Sequence, residues 1–137
     1  MKVEELRIGN WVIQPQGEKP KQIESIRLHE EEYCCTFRNF HYGTWLSELE
    51  PIPITKELLL NCGFKKRSES SCTMILSLGN GDPLTDKSCT SIQWWIGNDY
   101  MSICRCGISA FSFKIQNLHQ LQNIFYDLTG KELNISL

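Results

Sequence analysis

The sequence predicts an α+β fold: a small SH3-like β-meander or half-barrel, then an antiparallel sheet packed with one short helix and one longer C-terminal helix. Three observations carry this. The first fifty residues are short β-prone runs spaced about ten residues apart. Residues 91–104 alternate apolar and polar on both sides of a Gly-Asn turn. Residues 118–128 repeat apolar side chains at helical spacing behind a capping pattern.

In the first part, Gly9-Asn10 is a turn signal just before the apolar run Trp11-Val12-Ile13. Gln22 to Leu28 carries Ile23, Ile26 and Leu28, interrupted by Glu24 and Arg27; Tyr33 to Phe37 and then Trp45-Leu46 follow. Pro51-Ile52-Pro53 removes two backbone donors and holds the chain extended, which marks a boundary between halves 1–53 and 54–137, expected to pack as one compact unit. Thr55 is placed to cap a helix of about two turns over Lys56–Cys62, with Gly63 at its left-handed end.

Strands resume with Thr73–Leu78, which stops at Gly79-Asn80-Gly81-Asp82-Pro83. A two-residue loop at Gly97-Asn98 sets Trp94 opposite Met101 and Ile92 opposite Ile103. Ile96 shares their face, and Trp95 and Tyr100 lie on the other. Phe111, Phe113 and Ile115 form another alternating strand after a turn at Gly107. Asn117 and Gln120 form a capping-box pattern for a helix with Leu118, Leu121, Ile124, Phe125 and Leu128 on one stripe. Gly130 ends it, and Leu133–Leu137 alternates like a closing strand.

Composition narrows the function. With 14 basic and 16 acidic residues the formal net charge is −2, which argues against a general polyanion binder and against nucleic acid as the partner. The opening residues are charged and no apolar run follows, so a leader, a membrane span and export are not expected and the cytoplasm is. Seven cysteines is an odd number for a disulfide framework, so they are read as reduced and mostly buried thiols.

The blocks VEELRIGNWV, LEPIPITKELLLNCGF and LHQLQNIFYDLTGKELNI together resemble a group of uncharacterised proteins from Bacteroides-type bacteria, their phages and their mobile elements. The resemblance covers about a third of the chain and implies no activity. The context it implies is a cytosolic phage or mobile-element protein, often a small binder that blocks or sequesters a host component.

Chemical motifs are weak. Cys104-Arg105-Cys106 with His119 lacks zinc spacing and a second close pair, and His119 at a helix start is readily solvated. Cys34 and Cys35, near His41, are neighbours in a strand and point to opposite faces. Gly79-Asn80-Gly81-Asp82 is too short for a calcium loop. No catalytic residue, metal ligand or cofactor is therefore assigned, and a thiol- or metal-dependent enzyme is the least favoured class. Lys65, Lys66 and Arg67, with Lys56, form the one basic cluster, a candidate nucleic-acid contact whose plainer reading is a solvated face. Trp95 and Tyr100 are candidate binding residues, joined by Arg105 if a pocket gathers all three. The alternative is that the terminal helix or the first half covers them, since tryptophan is mostly buried. The expectation is a non-enzymatic binding protein acting on a host protein, a small nucleotide-like ligand or another copy of itself. A nucleic-acid-associated accessory protein is the second reading.

Overall fold

The structure, a computed structural model, describes residues 1–15, 19–86, 88–106 and 108–137. It is α+β, with two antiparallel five-stranded sheets and two α-helices. The chain divides into two compact units: residues 1–53 with 117–123, and residues 54–116 with 124–137.

The first unit holds β1 (Trp11–Ile13), β2 (Lys21–His29), β3 (Glu32–Phe37), β4 (Gly43–Trp45) and β5 (Glu50–Pro51), paired in the order β4-β3-β2-β1-β5. Among the described residues no pairing joins β4 to β5, so the sheet is open. A bulge between Ile23 and Ser25 changes the parity of β2. It brings Ile23 and Ile26 opposite Phe37 and Cys35, onto one face, although their spacing in the sequence is odd. Leu6, Val12, Ile23, Cys35, Phe37 and Leu49 form the core. β5 is too short to show a periodic pattern, and its proline sits at a sheet edge, where no ladder donor is needed.

The N-terminal residues of α2 (Leu118–Thr129) belong to this unit. The backbone N–H of Asn117 donates to Gln120 Oε1 at 3.1 Å, the Gln half of the expected capping box. Gln122 is buried. Its Oε1 accepts from Trp11 N at 2.9 Å and its Nε2 donates to the Gly9 carbonyl at 3.0 Å, so the Gly-Asn turn is held by a side chain. His119 is also buried, 1% exposed, rather than solvated as its place at the helix start suggested. It lies on the same face as Gln122, one turn earlier.

The second unit holds α1 (Lys56–Asn61), β6 (Lys65–Lys66), β7 (Thr73–Ser77), β8 (Ser91–Trp95), β9 (Tyr100–Arg105) and β10 (Ile108–Lys114), in the order β10-β9-β8-β7-β6. Thr55 Oγ1 accepts from Leu58 N at 3.1 Å, and Gly63 has the positive φ of 87° that ends the helix. Met74, Ile92, Trp94, Met101 and Ile103 share the inner face of the sheet and are buried, with Leu58, Leu59, Cys62 and Phe64.

Several expectations change here. The hairpin register is as expected, Ile92 opposite Ile103 and Trp94 opposite Met101, but the turn is not a two-residue Gly97-Asn98 loop. Asn98 N donates to Trp95 O at 2.9 Å and Gly97 has φ 85°, a turn centred on Ile96-Gly97. Ile96 is thereby lifted out of the core face and is 39% exposed. Phe111 and Leu128 are exposed too, lining a cavity of about 400 Å³ with Leu78 and Ile103. Residues Leu133–Leu137 form no strand; Leu133 is buried and Ser136 N donates to Asn61 O at 3.1 Å. The turn expected at Gly107 lies outside the described residues. No helix among the described residues is long and apolar enough to cross a membrane.

Candidate functional site

The outer face of the second sheet is built by register alone. Residues directly opposite one another in an antiparallel sheet project to the same side, so each ladder row names a line of side chains. Thr73 pairs with Trp95, and Tyr100 pairs with Lys114. Trp95 and Tyr100 follow Trp94 and Met101 as the next positions of the hairpin. Arg67 continues β6 opposite Thr73, to whose carbonyl its N–H donates at 3.3 Å. The row at the hairpin tip therefore reads Arg67, Thr73, Trp95, Tyr100, Lys114. The row behind it reads Lys65, Ile75, Gln93, Ser102, Ser112.

The two aromatic residues stay open to solvent, Trp95 60% and Tyr100 53% exposed, while Trp94 is only 4% exposed. Trp94 is further held by its indole N–H, which donates to the Asn98 carbonyl at 2.7 Å. The alternative in which both tryptophans are covered does not occur. Lys65, Arg67 and Lys114 are exposed; of the acidic groups near them, Glu69 lies two residues after Arg67, Asp99 lines the depression with Trp95 and Tyr100, and Asp86 lines a cavity with Arg67. Further along the same face, Arg67, Leu84, Asp86, Ser91, Gln93 and Cys104 line a polar cavity of about 390 Å³. The loop that carries Leu84 and Asp86 forms one wall over buried Ser91 and Cys104. Hydrogen bonds from the Ser88 hydroxyl and N–H hold the Asp86 carboxyl below the usual range.

The candidate residues divide accordingly. Trp95 and Tyr100 line one shallow depression together with the turn. Arg105 does not join them: it pairs with Ile108 at the far end of β9, on the opposite parity from Tyr100. Lys65 and Arg67 project to the aromatic face and Lys66 to the other. The Lys66 pKa is lowered, first by a hydrogen bond with the Lys56 side chain and then by its charge, so the two amines are adjacent.

The thiols fall into buried and accessible sets. Three of the seven are buried, Cys35, Cys62 and Cys104, two are half-buried and two exposed, so the set is less buried than expected. Burial, with Cys34 adding, pushes the Cys35 pKa up to about 11, and burial alone takes Cys62 to about 12. Cys104 is raised by burial against the opposing charge of Arg67. A thiolate is the nucleophile, so burial works against reactivity at these three. No group of three or more His, Cys, Asp or Glu among the described residues is placed to hold a metal ion.

Among the buried polar groups of the first unit that sequence reasoning missed are Lys21 and His119. Lys21, 5% exposed, has its ammonium 4.4 Å from the Phe40 ring centroid and 5.1 Å from that of Tyr42, and donates to Tyr42 Oη at 2.9 Å and to Gln14 Oε1. His119 has neither ring nitrogen hydrogen-bonded, and Glu5 Oε2 is 3.9 Å from its Nε2. Both depend on contacts remote in sequence. Comparison with known protein families, with curated proteins and with solved structures finds no match for this chain.

Proposed function

We propose that the chain is a non-enzymatic binding protein of the phage or mobile-element type, acting in the cytoplasm on a host protein or a small nucleotide-like ligand. The contact surface is the outer face of the second sheet. One observation carries this reading: Trp95 and Tyr100 lie side by side on that face, each more than half exposed, while the other hairpin tryptophan is core. Large aromatics on an open face serve contact better than solubility. The family resemblance of the three sequence blocks supports the biological context. The half formed by residues 1–53 is read as an SH3-like half-barrel, supported by β1 taking β2 on one side and β5 on the other.

A second reading, a nucleic-acid-associated accessory protein, gains support from one specific feature. Two members of the basic cluster, Lys65 and Arg67, project to the aromatic face.

Native mass spectrometry of complexes retained from the cell tests the main reading, with wild type compared to the Trp95→Ala/Tyr100→Ala double variant. The variant is expected to fold and to lose a component that the wild type keeps. The same retained species for both chains, including none for either, contradicts the reading.

A further inference from the structure

Resting on that reading of the face, we infer that its ligand is single-stranded nucleic acid, laid across the strands with two bases on Trp95 and Tyr100 and its phosphates on Arg67, Lys65 and Lys114. The argument begins with the tip row. Its β8 and β9 positions carry the exposed aromatics, its two ends on β6 and β10 carry Arg67 and Lys114, and Thr73 on β7 stands between Arg67 and Trp95. Four interstrand steps of about 4.8 Å separate those ends, roughly 19 Å in all. That is room for a short run of nucleotides, near the small end of the site sizes of single-strand binders.

Each part of such a ligand finds its chemistry. Every base has a π-face, so a tryptophan and a tyrosine on adjacent strands take two successive bases without reading sequence. Cations stand at both ends of the tip row, which suits a backbone carrying a charge at each residue; Asp99 at the turn and Asp86 beside Arg67 are the acids that such a backbone has to avoid. Between the cations Gln93, Ser102 and Ser112 supply hydrogen-bonding groups on the same face; Ser102 and Ser112 meet at 2.8 Å between hydroxyl oxygens. A duplex fits less well, because its bases are stacked inside and leave no π-face for the two rings. A protein partner would use the aromatics but has no need of three cations around them.

The net charge of −2 spoke against nucleic acid for the chain as a whole. It does not describe this face, where Lys65, Arg67 and Lys114 gather by strand register from positions up to 49 residues apart in the sequence. With only three cations the affinity should be modest and strongly dependent on salt.

Fluorescence anisotropy with a labelled oligothymidylate of about twelve nucleotides tests this, beginning at about 20 mM salt, beside a duplex of equal length. Wild type should bind the single strand in preference to the duplex, with a log–log salt slope of about −2. Trp95→Ala and Tyr100→Ala should each weaken binding about fivefold or more. Arg67→Gln should make the slope shallower by about 0.7. Trp45→Ala, which removes an exposed aromatic of the first unit, should leave binding unchanged. Thermal melts of each variant establish that it is folded. Absence of binding at low salt, a duplex bound as well as the single strand, or equal losses from Trp45→Ala and Trp95→Ala would overturn the assignment. If binding is absent while the Trp95→Ala/Tyr100→Ala chain still loses a protein that wild type retains, the face is a protein contact and only the nucleic-acid assignment falls. If that loss is absent as well, the binding face itself falls.

Discussion

Replacing Trp94 or Trp95 with alanine makes the same covalent change one residue apart, with opposite consequences for the fold. Trp94 is 4% exposed, lies beside Met74 and Met101, both 0% exposed, and donates its indole N–H to the Asn98 carbonyl at 2.7 Å. Truncation leaves a cavity the size of an indole and removes the bond that holds the hairpin turn, a loss of about 4 kcal/mol. At about 4 °C per kcal/mol for a chain of this size, the melting temperature should fall by about 15 °C. Trp95 is 60% exposed and has well under half of that contact to lose, about 1 kcal/mol, or about 4 °C. Thermal melts by circular dichroism, with acrylamide quenching to confirm which indole meets solvent, measure both. Equal destabilisation by the two variants would mean that both faces of β8 are buried and would refute the argument from strand parity.

Leu121→Ala should cost about 2–5 kcal/mol, because its side chain is wholly buried. Phe125→Ala should cost less, about 1–2 kcal/mol, since that ring is only half-buried, and chemical denaturation compares the two. Gln122→Ala should cost about 2 kcal/mol by leaving Trp11 N–H without its acceptor, read as a lower denaturation midpoint. The His119 pKa is lowered, chiefly by burial, with Glu5 opposing and the N-terminal amine adding. The unfolded chain then binds the extra proton first, so stability should be full above about pH 6.5 and fall as the pH drops below it. His119→Gln should flatten that part of the stability profile, and an unchanged profile would remove His119 as its cause.

The hairpin was legible because a period of two survives small errors in the turn. Moving the turn from Gly97-Asn98 to Ile96-Gly97 altered Ile96 and left Trp94 and Trp95 on their expected faces. α1 and α2 were legible from their caps and stripes, although Leu128 at the end of the stripe proved 44% exposed. The two-residue strands β5 and β6 were not, since two residues carry no periodicity. The tail at Leu133–Leu137 alternates as a strand does but finds no ladder to join. The candidate site was half legible: Trp95, Tyr100 and the basic cluster were each visible as local features. Their meeting with Lys114 on one face depends on four strand registers that no local pattern contains. Arg105 is the converse, close to Tyr100 in sequence but removed from it by the parity and length of β9.

The most direct test of the outer face as a single-strand binding surface is a titration of ¹⁵N-labelled protein with the oligothymidylate, followed by amide and indole chemical shifts. The largest changes should fall on the Trp95 indole N–H and on the amides of Arg67, Thr73, Tyr100 and Lys114, with the buried Trp94 indole and the Trp45 indole little moved. Shifts centred on another surface, or no shifts under conditions where the chain is folded, would contradict the account.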